Sequence, residues 1–164
     1  MKDKISEDRI KLLHPKIREE VKKIIEEAET VVDNNLAIRI VQGLRTIEEQ
    51  DALYAQGRTT PGSVVTKAKG GSSYHNYGLA LDICWLFLQP DGTYKYDDKK
   101  SWATGANFLK VIRIFNSHGY TWGGDFKSIT DEPHFEKTFG YNWRDLKSKY
   151  DGKDFIPNTK YVNI

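Results

Sequence analysis

Apolar positions recur along this chain with two periods, and each period marks its own elements. Between Pro15 and Thr30, Ile17, Val21, Ile24, Ile25 and Ala28 fall at helical spacing, with Pro15 suited to a first turn. Lys22, Lys23, Glu26 and Glu27 lie between them as a solvated face. Residues 36 to 44 form a β-branched run that predicts a strand. A second helix opens after Arg45, where Thr46 and Glu49 have capping-box spacing, and Gly57 stops it. Residues 58 to 72, rich in glycine and threonine with Pro61, read as a loop. The apolar run from Gly78 to Leu88 predicts a buried strand. Gln89-Pro90-Asp91-Gly92 is a turn signal, and a short strand over 93–96 completes a hairpin. A helix over 103–118 is expected to bury Phe108, Leu109, Ile112 and Phe115, with Gly119 after its end. Residues 120–122 form a strand ending in the turn Trp-Gly-Gly-Asp, and His134 lies on a further strand.

Composition narrows the function classes. A chain of 164 residues suits one domain with a core that needs no staples. The 25 basic and 23 acidic residues leave a net charge of +2, so there is no electrostatic case for nucleic acid. Cys84, the sole cysteine, excludes an internal disulfide and reads as a small buried hydrophobe. A nucleophilic role for it lacks a His/Asn pattern to serve it. The first residues contain no signal-peptide h-region, and nothing approaches a membrane-spanning length, so synthesis in the cytoplasm is expected.

The chemistry concentrates in two stretches. In Ser73-Tyr-His-Asn-Tyr-Gly-Leu-Ala-Leu-Asp82, His75 lies on a loop entering the strand that contains Asp82. Taken alone, either residue reads as a polar group satisfied by neighbouring backbone. The second stretch, Asp131-Glu-Pro-His-Phe-Glu136, supplies another imidazole with a carboxylate three residues before it. Two imidazoles and one carboxylate make a tetrahedral Zn²⁺ site with its fourth position open. A further, non-ligand carboxylate then serves as general base. On the strand, Glu132 and Glu136 share the face of His134. His14 and His118, before and at the end of helices, read as structural.

The paired motifs, Ser-x-His-x-x-Gly-x-Ala-x-Asp followed by Trp-Gly-Gly-Asp and Asp-x-Pro-His-Phe, resemble those of the M15 zinc peptidases, from about Leu12 to Gly140. Within that family the chain looks most like the L-alanyl-D-glutamate endopeptidases of phage endolysins and bacterial autolysins. The resemblance implies an α+β fold, a small and mainly antiparallel sheet flanked by helices, similar to D,D-peptidases and Hedgehog proteins. It also implies that His75, Asp82 and His134 hold Zn²⁺ and that Asp131 is the catalytic carboxylate, with Glu132 its rival. Arg45 would steady the oxyanion, and Ser73 and Gln50 would contact substrate. The implied substrate is the peptidoglycan stem peptide, cut between L-Ala and D-Glu by a monomeric enzyme. Without a signal peptide, a holin or lysis would bring a phage-encoded enzyme to the wall. A D,D-carboxypeptidase or D-Ala-D-Ala dipeptidase is the alternative within the family. A non-catalytic zinc module of the Hedgehog kind is a third, against which Asp131 and Arg45 argue. The tail, 140–164, is expected to hold a short helix and an arm, with no separate wall-binding domain.

Overall fold

The computed structural model describes residues 1–101, 105–127 and 130–164. Among the described residues, five α-helices accompany a five-stranded antiparallel sheet. In chain order these are α1 (Lys4–Lys11), α2 (Arg18–Val31), β1 (Leu36–Gln42), α3 (Ile47–Ala55), β2 (Ala80–Leu88), β3 (Tyr94–Lys95), α4 (Ala106–Ser117), β4 (Thr121–Trp122), β5 (His134–Glu136) and α5 (Trp143–Asp151). The strands are ordered β1-β2-β5-β4, with β3 pairing to the far end of β2. This is the α+β architecture that the sequence implies. Among the described residues no helix is long and apolar enough to cross a membrane.

The alternation of side chains along a strand divides the sheet into two faces. Leu81, Ile83 and Trp85 of β2 and Phe135 of β5 join the hydrophobic core with Ile38 and Ile40 of β1. Asp82, His134 and Glu136 occupy the alternate positions, so the sheet carries its polar chemistry on the face opposite the core. α1 and α2 lie against β1, and α4 against α2 and β4. Phe115 of α4 stacks on Phe135, ring centroids 4.1 Å apart, and both are fully buried.

α4 buries Phe108, Val111, Ile112 and Phe115, the i, i+3, i+4, i+7 stripe of one helical face. Leu109, expected in the core, falls outside that stripe and is exposed. The helix is described from Ala106; positions 103 and 104 of the expected helix lie outside the described residues. α2 starts at Arg18 rather than at Pro15, because residues 14–17 form a turn in which the Ile17 N–H donates to the His14 carbonyl. The polar N-terminal stretch forms α1, which the periodicity does not reveal. Its cap, Asp3, accepts hydrogen bonds from Ser6 and pairs with Arg39 at 2.9 Å.

The tail belongs to the same core. Leu146 of α5 and Val162 of the arm are buried, and the arm folds back through a bridge between Phe155 and Val162. His14 is fully buried with its Nε2 2.9 Å from the Val162 carbonyl, a structural role that ties the two ends of the chain together. Gly78 adopts φ +68°, and a Cβ there would lie 2.7 Å from the His14 nitrogen, so both the turn and the close approach require glycine.

Because the Phe115 ring backs the strand carrying His134, Phe115→Ala is expected to lower unfolding free energy by about 3–5 kcal/mol, read from urea denaturation. A loss below about 1 kcal/mol would contradict this packing.

Candidate metal centre

Three segments deliver three donor atoms to one point. Asp82 and His134 are direct cross-strand partners between β2 and β5, so their side chains rise side by side from the polar face. His75 arrives from a 3-10 turn over Tyr74–Tyr77 rather than from an open loop. Ser73 caps that turn, its hydroxyl accepting the His75 N–H at 3.4 Å. Asp82 Oδ1 lies 3.2 Å from His75 Nε2 and 3.0 Å from His134 Nδ1, and the two nitrogens are 3.2 Å apart. A tetrahedron with bonds of about 2.0–2.1 Å has edges of about 3.3 Å, so this triangle matches one of its faces.

Hydrogen bonds behind the imidazoles set what they present in front. His75 Nδ1 is 2.8 Å from the Gly43 carbonyl, which can only accept; Nδ1 therefore carries the proton and Nε2 offers a lone pair. His134 Nε2 is 2.9 Å from the Glu136 carboxylate and donates to it. Asp82 is surrounded by these groups; burial opposes its charge, but His75 and then His134 outweigh that and hold its carboxyl well below the usual range. Burial also opposes a charged His134, yet the carboxylates of Asp82 and Glu136 push it up to about 9. The centre thus demands one cation among three donors, either a proton on His134 or a metal ion. Two neutral imidazoles, one carboxylate and carbonyl or carboxylate backing are the donor chemistry of a metal site. Glu136 enters the site by this route; the signal in the sequence is His-x-Glu on a strand, which places both on one face.

Asp131 lines the same cleft, about 590 Å³, as Arg45, Ser73 and the three donors. Burial, then the nearby Asp82 carboxylate, raises its pKa, so it favours a proton more than an ordinary aspartate. Its position depends on Gly123: the Asp131 N–H donates to the Gly123 carbonyl at 3.0 Å, and the Asp131 carbonyl accepts the His134 N–H at 3.1 Å. A Cβ on Gly123 would collide with the Asp131 carbonyl oxygen and lie 2.9 Å from His134 Cβ. Glu132 sits in the turn before β5, as exposed as Asp131 is, but unlike Asp131 it is not among the residues lining the cleft. Asp125 is likewise exposed, at the end of the 3-10 turn of Gly123–Asp125.

Arg45 precedes α3, whose capping box forms as the sequence predicts. Its backbone N–H donates to the His75 carbonyl at 3.0 Å, and its Nη2 is 4.0 Å from Asp82 Oδ2. Gln50 is fully buried and does not line the cleft. Its oxygen accepts from Arg45 Nη1 at 2.9 Å, and its nitrogen donates to the Ala68 carbonyl at 2.8 Å. Asn76, also buried, donates to the carbonyls of Arg45 and Thr46 and accepts from the N–H groups of Gly71 and Ser73. These two amides lock the loops around the donors. Cys84 is buried, its thiol pushed up to about 11 by burial, and stands in β1–β2 pairing opposite Arg39.

Comparison with known proteins identifies the family and the fold. A family model described as D-alanyl-D-alanine carboxypeptidase, of the M15 peptidases, matches residues 66–137. The chain is 38% identical over 128 residues to the peptidoglycan L-alanyl-D-glutamate endopeptidase CwlK of Bacillus subtilis (strain 168), covering 76% of this chain and 72% of that one. A vancomycin-resistance D,D-dipeptidase, VanXYg, solved with a D-Ala-D-Ala phosphinate analogue, shares the fold. Its TM-score is 0.55 at 21% identity, over 87% of this chain and 55% of that one. The L-Ala D-Glu endopeptidase ChiX of Serratia marcescens matches with a TM-score of 0.49 at 22% identity, over 83% and 88% of the two chains.

Glu136→Gln keeps a hydrogen-bond partner for His134 but removes the charge behind it. Metal affinity, read by competition with a chromophoric chelator, is expected to fall about 10- to 100-fold with the fold intact. Unchanged affinity would separate Glu136 from the centre.

Proposed function

We propose that this chain, which belongs to the M15 family of peptidases, is a zinc-dependent endopeptidase that cleaves the L-Ala–D-Glu bond of the peptidoglycan stem peptide during lysis or remodelling of the bacterial cell wall. The observation that carries the reading is the face of three donors, His75 Nε2, Asp82 Oδ1 and His134 Nδ1, open to a cleft that also holds Asp131 and Arg45. The likeness to CwlK, which spans most of both chains, supports the choice of bond.

His75, Asp82 and His134 hold the ion. The chemistry zinc supplies there is Lewis acidity, polarising an amide carbonyl and acidifying water toward a pKa of about 7. Asp131 takes a proton from the attacking water and returns it to the leaving amine of D-Glu. Its raised pKa suits the first of these transfers, since a carboxylate that binds a proton more firmly is the stronger base toward water. Arg45, held by Gln50 and by the His75 carbonyl, faces the negative charge that develops on the carbonyl oxygen. A fixed guanidinium costs little reorganisation as that charge forms. Ser73 stands on the cleft wall beside His75, where it meets the peptide. Gln50 acts behind Arg45 as a positioning residue rather than on the substrate.

The family model's description favours a second reading, a D,D-carboxypeptidase that releases terminal D-Ala. The two readings share the centre and differ in the product. A synthetic stem peptide, L-Ala-γ-D-Glu-Lys-D-Ala-D-Ala, analysed by mass spectrometry distinguishes them: free L-Ala is expected, and free D-Ala would move the protein to the carboxypeptidase branch. In the same assay Asp131→Asn is expected to lower kcat by about 10²- to 10⁴-fold while the metal content stays that of the wild type. Loss of metal in that variant would make Asp131 a ligand instead of a base.

A further inference from the structure

We propose that Lys67 is a specificity residue that binds the free α-carboxylate of the D-Glu residue on the leaving-group side of the scissile bond. The inference rests on the endopeptidase reading and adds to it the feature of the substrate that the cleft selects. In a γ-linked stem peptide the chain continues through the side-chain carboxyl of D-Glu. Its α-carboxylate therefore remains free on the carbon bonded to the scissile nitrogen, and an enzyme that cuts this bond must accommodate a negative charge beside its own acidic centre.

The charges lining the cleft are unevenly distributed. Asp82, Asp131 and Glu136 are its carboxylates; the ion held by Asp82 would neutralise that one, and Asp131 and Glu136 remain to repel a substrate carboxylate. Asp82 and Glu136 are engaged with the imidazoles. Arg45 and Lys67 are the arginine and lysine that line it, apart from the imidazoles of the centre. Arg45 is committed to Gln50 and stands 4.0 Å from Asp82. Lys67 is exposed and, among the described residues, forms no hydrogen bond or ion pair. Among the described residues lining the cleft, it is the lysine or arginine free to meet an incoming anion.

An exposed lysine is ordinarily a solvated surface charge, and what distinguishes Lys67 is the backbone beneath it. The Thr66 carbonyl accepts from Arg58 Nη2 at 3.0 Å, and the Ala68 N–H donates to Thr66 Oγ1 at 3.1 Å. The Ala68 carbonyl accepts from the buried Gln50 amide, whose other end holds Arg45. Lys67 therefore sits at the apex of a pinned turn, and a single buried amide couples that turn to the guanidinium proposed to face the oxyanion. Two subsites for negative charge, one transient and one permanent, are thus held by one support. Thr66, Lys67 and Ala68 all line the cleft, which places this stretch of the loop on its wall.

The test compares two synthetic peptides, one with L-Ala-γ-D-Glu and one with its α-carboxylate amidated as D-isoglutamine, cleaved by the zinc-loaded wild type, Lys67→Gln and Lys67→Arg. The wild type is expected to prefer the acid about three- to fivefold in kcat/KM, the range of a partly solvated ion pair. Lys67→Gln is expected to abolish that preference by losing rate only on the acid, and Lys67→Arg to keep it. Equal rates for the two peptides with the wild type, or the same preference in Lys67→Gln, would overturn the assignment while leaving the endopeptidase reading intact. Cleavage of neither peptide by the wild type would overturn both.

Discussion

The structure depends on one electrostatic requirement: a carboxylate oxygen and two imidazole nitrogens converge within 3.2 Å of one another and must share a positive charge. Left with lone pairs alone, such a cluster would repel itself in a half-buried site. The chain does not relieve the conflict by turning the rings, because each is committed at its far side, His75 to the Gly43 carbonyl and His134 to Glu136. It concentrates the demand at one point instead. The β2–β5 register places Asp82 opposite His134, the bulge between Ile40 and Gln42 leads to Gly43, and the capped 3-10 turn brings in His75. Each of these local features has its reason in the convergence.

The sheet makes the arrangement rigid by separating its two faces. Phe135, between His134 and Glu136 in sequence, points into the core and stacks on Phe115, so the strand that carries the acidic face is held by an aromatic pair on the other. Around the centre, buried amides do the work that apolar packing does elsewhere. Asn76 joins the segments before α3 and after the long loop, and Gln50 joins Arg45 to that loop. A buried amide whose hydrogen bonds are all made fixes geometry more sharply than a side chain that merely fills space. This suits an enzyme, since charge stabilisation is effective when its donors need not move.

Much of this was legible in the sequence, for reasons that differ between elements. α2, β1, the α3 capping box and β2 announce themselves because periodicity and caps are local properties. The donors His75, Asp82 and His134 stand in motifs whose spacing matches a known family, and they meet in space as that resemblance implies. α1 was illegible because its stability comes from Asp3 pairing with Arg39, thirty-six residues away. Leu109 is apolar but lies off the face formed by Phe108, Val111, Ile112 and Phe115, and apolar character alone does not give that direction. The family resemblance implies Gln50 as a substrate contact; only the fold reveals that it is fully buried and bonded to Arg45 and Ala68. Gly123 appears in the sequence as a turn glycine, and its contact with Asp131 and His134 emerges only when the Trp-Gly-Gly-Asp turn packs beneath them.

If the charge shared by His75, Asp82 and His134 is a metal ion, catalysis requires it. The most direct measurement is X-ray absorption at the zinc edge on the purified protein, paired with peptide cleavage before and after exhaustive chelation. One zinc per chain is expected, with nitrogen and oxygen neighbours at about 2.0–2.1 Å. Chelation is expected to abolish cleavage and added Zn²⁺ to restore it. A folded, metal-free chain that still cleaves the stem peptide at the full rate would contradict that requirement.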